Sequence, residues 1–273
     1  MWEQTLSHVV LEFFTWNPKW DPHLSRMIEE RSAKHKPAAK RKHLSKPLKI
    51  VAHRRSGNHL LWENLHINYN IEEAVMDETD DFKYHRPFKD APDDFTHRFT
   101  CIYIIRDPRD TLVSNWFYWK NNGEPRAKVT LLLQNKTFGE YLRGIDTAEL
   151  DRLKPERDEM DMYLIKQHIA DPIQHWLDYT AWAAEAEMVV RYEDLVEDPD
   201  KIIIDFGKKF NIAPSKDRIW TVKKDYNNIG VGYKPRKGIV GDWKKHFSQE
   251  DLDYIISRAG DKMKEFGYTN VTF

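Results

Sequence analysis

Apolar residues in this chain fall in short runs and helical stripes, never in long blocks. Leu48–Ala52 (LKIVA) is an apolar run between Pro47 and a turn near Gly57, and predicts a buried strand. Asn58–Asn68 follows with Leu61 and Leu65 on one helical side and Trp62 beside them. Phe99–Ile105 is β-branched and aromatic, the composition of a central strand. It runs into Arg106-Asp107-Pro108, where Asp107 as N-cap and Pro108 at the first helical position mark a helix start. Met162–Glu185 predicts a long helical region that Pro172 must kink or break. Glu187–Arg191 predicts another strand, and Lys201–Phe210 and Glu250–Lys264 have helical spacing. Strand alternating with helix implies an α/β domain with a mainly parallel central sheet flanked by helices. That domain is expected over 48–273. Residues 1–47 read as an extension: an aromatic-rich element over 1–30, with Trp2, Phe13, Phe14, Trp16 and Trp20, then a basic linker over 31–47.

Composition narrows the class. The chain has 273 residues, enough for one large domain or two small ones. Charged residues make up 32% and the mean hydropathy is −0.75, as for a chain with a wet surface. The longest apolar run, Cys101–Ile105, is too short to cross a membrane. Glu3 and the brevity of Val9-Val10-Leu11 predict no leader peptide. The single cysteine forms no internal disulfide, which fits a reducing, cytoplasmic setting.

The net charge of −1 hides a segregation. From Arg31 to Trp62 there are ten Lys/Arg and no acid, and Glu72–Asp81 holds six acids and no base. A basic run can mark a nucleic-acid contact. Here Pro37 and Pro47 interrupt it and no aromatic interleaves before Lys46. That part reads as a solvated linker, and nucleic acid is not the expected partner.

Arg54-Arg55 belongs to something else. In Ile50-Val51-Ala52-His53-Arg54-Arg55-Ser56-Gly57-Asn58-His59-Leu60-Leu61 a strand delivers the chain to a turn. There Gly57 lets backbone N–H groups close round an anion, and a helix N-terminus follows. Arg55 adds a fixed positive charge. No Lys-Ser/Thr follows Gly57, so this is not a Walker A loop, and the hydroxyl that would hold Mg²⁺ is missing. No Gly-x-Ser-x-Gly nucleophile elbow occurs either. Taken alone, the segment fits an ordinary strand–turn–helix corner equally well.

In context it resembles the 5′-phosphosulfate loop of sulfotransferases that use 3′-phosphoadenosine 5′-phosphosulfate (PAPS), approximately Pro-Lys/Arg-Ser-Gly-Thr-Thr-Trp. Arg55-Ser56-Gly57 matches its core. Arg54 stands in place of Pro, and Asn58, His59 and Leu60 in place of Thr-Thr-Trp. Leu60 cannot stack on adenine as that Trp does; Trp62 is a candidate replacement. The resemblance implies Arg55, Ser56, Gly57, Asn58 and His59 as the loop's cofactor contacts. Tyr103–Ser114 is similar to the family's 3′-phosphate motif, Arg-x-Pro-x-Asp-x-x-x-Ser, with Asp107, Asp110 and Ser114 on one helical side. By that likeness Arg106 and Ser114 are 3′-phosphate ligands. Arg236–Phe247 is similar to Arg-Lys-Gly-x-x-Gly-Asp-Trp-Lys-x-x-Phe at every fixed position. This implies that Arg236, Lys237 and the Gly238 amide close over the same phosphate. Arg191-Tyr192-Glu193-Asp194-Leu195 resembles the Tyr-Glu-Asp-Leu block, with Tyr192 near the adenine.

Lys83-Tyr84-His85-Arg86-Pro87 is similar to Lys-Thr-His-Leu-Pro of the soluble members. It implies His85 as general base, suited by a pKa near working pH, and Lys83 beside the sulfuryl group. His53 and His59 are the alternatives. The family's fold is a P-loop NTPase-like sulfotransferase fold. Its reaction is metal-free in-line transfer of a sulfuryl group from PAPS to a hydroxyl or amine of a small acceptor, leaving 3′,5′-ADP. A nucleotide-binding protein of the same fold without turnover is the competing expectation. The resemblance spans about residues 48–268. The C-terminal dimer motif Lys-x-x-x-Thr-Val-x-x-x-Glu is not matched, which leaves the oligomeric state open.

Overall fold

The computed structural model describes residues 44–69, 71, 87–121, 127–146, 148, 166–214, 219 and 238–269. The expected N-terminal element over 1–30, most of the basic linker and the acidic run lie outside these residues.

Three parallel strands form the sheet, in the order β1 (Leu48–Ala52), β2 (Thr100–Ile105), β3 (Met188–Arg191). Leu48 pairs with Thr100 and Ala52 with Ile104; Ile102 pairs with Met188 and Ile105 with Arg191. The three strands therefore end at one level. In open parallel sheets ligands bind beyond that carboxyl edge.

Period-two alternation gives each face its own core. Val51, Cys101, Tyr103 and Ile105 point to one face. There they meet α3 (Pro108–Asn121), α5 (Phe138–Arg143), α6 (Pro172–Tyr179) and α10 (Gln249–Glu265). This core is rich in large rings: Trp119, Trp176, Trp182 and Tyr141 are fully buried. Such a ring removes roughly 150–250 Å² from water. Leu48, Ile50, Ala52, Ile102, Ile104 and Val190 point to the other face. They are covered by α1 (Asn58–Tyr69), α8 (Tyr192–Glu197) and α9 (Pro199–Phe210). Shorter helices complete the description: α2 (Phe95–Arg98), α4 (Ala127–Gln134) and α7 (Trp182–Glu185).

Differences from the sequence reading are small and local. Phe99 is excluded from β2 because its N–H closes α2 onto Phe95 O at 3.0 Å. Met162–Glu185 is divided: residues 166–170 are helical, and a new helix starts at Pro172, capped by Asp171, whose carboxylate accepts from Gln174 N–H. α9 begins two residues earlier than expected because Asp198-Pro199 repeats the cap-and-proline start. The final linker residues already belong to the body. Pro47 O accepts from Thr100 N–H at 2.9 Å, and Lys46 Nζ donates to Thr96 O at 2.9 Å. Cys101 lies in the middle of the sheet core, and burial pushes its thiol up to about 12.

Candidate nucleotide site at the carboxyl edge of the sheet

Two strand–helix corners stand side by side at this edge. At the first, β1 leads through His53–Gly57 into α1. Ser56 N–H donates to His53 O at 3.2 Å, and Leu61 N–H to Gly57 O at 3.1 Å. Gly57 thus closes the first helical turn, and the first-turn amides of α1 point away from the helix end. Arg55 has φ 71° and Gly57 φ 93°, both in the left-handed region. Glycine accepts that conformation freely; for Arg55 it is strained. Gly57 is required twice over, because a Cβ there would run into the ring of Tyr192.

The Arg55 side chain reaches the second corner. Its Nε donates to Ser114 Oγ at 3.2 Å, and its guanidinium lies 5.3 Å from the Tyr118 ring centre. Arg106, at the end of β2, donates from Nη1 to Arg55 O at 3.1 Å and from Nη2 to Ile239 O at 3.2 Å. Its guanidinium sits 4.4 Å over Tyr192, whose hydroxyl donates to Gly238 O at 3.1 Å. Arg55, Ser56, Gly57, Arg106, Ser114, Tyr192 and Gly238 therefore converge, from four separate stretches of chain. Asn58 and His59 open α1 beside them, half-buried. His85, Lys83, Arg236 and Lys237 lie outside the described residues.

The second corner is built from side chains. Asp107 caps α3 by accepting from Arg109 N–H at 2.9 Å, and it pairs with the Arg109 guanidinium at 2.7 Å. Arg109 in turn lies 4.1 Å over the Trp243 ring. Asp110 is fully buried and accepts from Gly241 N–H at 2.7 Å and Trp243 N–H at 2.9 Å. Burial pushes its carboxyl up, while Arg106 and the two amides pull it back. Glu193 accepts from Asp107 N–H and from the Tyr268 hydroxyl, both at 3.0 Å, and burial raises its pKa. Asp110 and Glu193 were not singled out as site residues from sequence. Their only signal was membership of the quoted blocks, since their partners are about 75 to 133 residues away.

Leu60 turns into the core under α1, so no ring stands at that position. Trp62 lies a little further along, stacked on His66 at 5.1 Å. Of the aromatics Trp116–Trp119, Trp116 and Trp119 face the core, while Phe117 and Tyr118 are partly buried.

The residues present fit an anionic ligand. The Ser56 hydroxyl and Arg106 Nε are buried with no hydrogen-bond partner among the described residues. A strained loop, a helix N-terminus and two arginines surround the same spot. Such a site takes phosphate-like groups.

The sulfotransferase domain model matches residues 20–267, and the chain belongs to that family. The match takes in residues set apart above as an extension. Rat sulfotransferase 2A1 is 25% identical over 199 residues, which cover 63% of this chain and 59% of the relative. Human sulfotransferase 2A1 is 25% identical over 226 residues, covering 71% and 68%. The chain thus spans about 59% of the length of the rat relative. Among solved structures, mouse sulfotransferase SULT7A1 complexed with PAP superposes with a TM-score of 0.50 at 18% identity, covering 82% of this chain and 89% of that one. The fold is the sulfotransferase fold. No described helix is long and apolar enough to cross a membrane.

Proposed function

We propose that this chain transfers a sulfuryl group from PAPS to the hydroxyl or amine of a small acceptor. The observation that carries the reading is the convergence of Arg55, Arg106, Ser114 and Tyr192 at the carboxyl edge of the sheet, with Arg55 Nε bonded to Ser114 Oγ across the two corners. The family assignment and the PAP complex of SULT7A1 support the choice of nucleotide.

In this reading the β1–α1 loop holds the 5′-phosphosulfate, through the amides from Gly57 to His59, the Ser56 hydroxyl and the Arg55 charge. Arg106, Ser114 and Gly238 hold the 3′-phosphate, with Arg236 and Lys237 closing over it. The acceptor oxygen attacks sulfur in line. The S–O bond to the 5′-phosphate breaks, its electron pair leaves with 3′,5′-ADP, and His85 takes the acceptor's proton. Preorganised amides and cations stabilise the charge on the leaving oxygen. Arg55 stabilises that charge without donating a proton at neutral pH. Lys83 serves the sulfuryl oxygens.

The test is transfer of radioactive sulfate from PAPS to a panel of phenols, alcohols and amines. Wild type labels at least one acceptor class, and His85→Ala loses that labelling while still binding 3′,5′-ADP. Binding without transfer to any acceptor would establish the turnover-free alternative, to which Arg54, Asn58, His59 and Leu60 lend support. Unchanged transfer by His85→Ala would move the base to His59, because His53 is buried with both ring nitrogens hydrogen-bonded.

A further inference from the structure

Behind the β1–α1 loop, three imidazoles meet in a space closed to solvent. His53 directly follows β1, His168 lies in the helical stretch 166–170 and His175 lies in α6; all three are buried. His53 makes edge contacts with His175 and Tyr179, with ring centres 4.9 and 5.1 Å away. The His168 and His175 rings are 3.8 Å apart.

The hydrogen bonds fix the tautomers. His53 Nδ1 is 2.9 Å from Arg54 O, and a carbonyl only accepts, so Nδ1 carries the proton. His53 Nε2 is then the acceptor in the 2.9 Å contact with His175 Nδ1, which must donate. A directed chain results, from His175 through His53 to the Arg54 carbonyl. That carbonyl belongs to the peptide preceding Arg55. The carbonyl of the following peptide is held by Arg106. Both peptide planes that define the left-handed Arg55 are thus pinned, one by an imidazole and one by a guanidinium. Strain of this kind persists only where its surroundings over-determine it.

We propose that His53 and His175 are positioning residues of the phosphosulfate loop: as a neutral hydrogen-bonded chain from α6 they hold the Arg54 carbonyl, and through it Arg55, where the leaving group needs it. This rests on the function proposed above. The three ring nitrogens lie within 4.8 Å of one another, which is also a ligand count for a divalent ion. Two features favour the chain. The His53 lone pair is already used in a 2.9 Å hydrogen bond, and the charge His53 feels is the Arg54 cation. Burial and that cation depress the His53 pKa to about 4, which keeps the ring neutral.

The experiment compares the full chain with His175→Leu, which removes the donor at similar volume, and His175→Gln, which restores one. Loss of the chain misplaces a group that matters most in the transition state. The kcat with PAPS then falls about tenfold or more, while KM for PAPS rises less than about threefold. His175→Gln recovers part of kcat. In ¹⁵N-histidine spectra of wild type, His53 carries its proton on Nδ1. The inference is overturned if His175→Leu lowers the melting temperature but leaves kcat unchanged, or if His53 is the Nε2–H tautomer. It is also overturned if wild type holds one zinc per chain that His175→Leu loses. A wild type that binds 3′,5′-ADP yet transfers no sulfate is a different result. It removes the transfer reading, and this role with it.

Discussion

Two corners of the same architecture lie on neighbouring strands, and they are made differently. At β1–α1 the chain takes five residues to turn, two with positive φ, and offers backbone amides. At β2–α3 it takes two, Arg106 and Asp107, and the helix starts at once under Pro108. The carboxylates of the second corner all have protein partners: Asp107 with Arg109, Asp110 with Gly241 and Trp243, and Glu193 with Asp107 N–H and Tyr268. The first corner keeps a buried, unbonded Ser56 hydroxyl and a strained arginine. A corner shaped by backbone can wrap an anion closely but needs support from behind. A corner shaped by side chains is rigid by itself and serves as that support, here through Arg106 to Arg55 O.

The largest test of this difference is Gly57→Ala. It forces a Cβ into the Tyr192 ring at a φ of 93°. Tyr192 is held by Arg106 and Gly238 and cannot step aside, so about 3 kcal/mol or more is lost. Urea unfolding should show this, and calorimetry should show no binding of 3′,5′-ADP. A variant of wild-type stability would mean that the two corners are not packed through Tyr192.

Next comes Asp110→Ala, which strands the Gly241 and Trp243 amides. The expected loss is about 2 kcal/mol, because charge-assisted bonds are lost while the cost of burying the carboxylate is relieved. Slower amide exchange at Gly241 and Trp243 in the variant than in wild type would contradict the side-chain account of this corner.

The third test uses pH. His53 is held neutral among His168, His175, Tyr179 and the Arg54 cation, with a pKa of about 4 against an ordinary 6.5. The unfolded chain therefore binds the extra proton in this window. The stability contribution is complete above about pH 6.5 and is lost as pH falls toward 4. Between pH 7 and 5 the lead of wild type over His53→Gln should shrink by about 2 kcal/mol in urea titrations. A lead independent of pH would detach the loop from its histidine backing.

Smallest is Ser114→Ala. It removes the acceptor for Arg55 Nε and should cost under about 1 kcal/mol in stability. KM for PAPS should rise more than kcat falls, the reverse of the pattern expected for His175→Leu.

Local chemistry carried much of this into the sequence. β1 is read to the residue because Pro47 and the Gly57 turn bracket an unbroken apolar run. The start of α3 is legible because Asp107-Pro108 states the cap and the first position together. The same signature at Asp198-Pro199 starts α9 two residues ahead of the point where helical spacing alone puts it. What spacing cannot express is which distant group completes a local pattern. Asp110 in a first helical turn looks like a dipole partner, yet its two oxygens serve amides more than 130 residues away. His53 looks like a spare base beside an anion loop. Only the fold brings α6 against β1 and turns that ring toward His175. Convergence of Arg55 with Ser114 was implied only by family likeness, and it became a contact once β1 and β2 paired in register.

The lone Cys101 has a practical consequence. Its thiol is buried in the sheet, and burial raises its pKa, so thiol-directed reagents, which need an accessible thiolate, find little to attack in the native protein. The chain thus behaves as a cysteine-free background for labelling. A single substitution such as Lys209→Cys, exposed in the last turn of α9, would give one addressable handle for a fluorophore, without first removing a native thiol from the core.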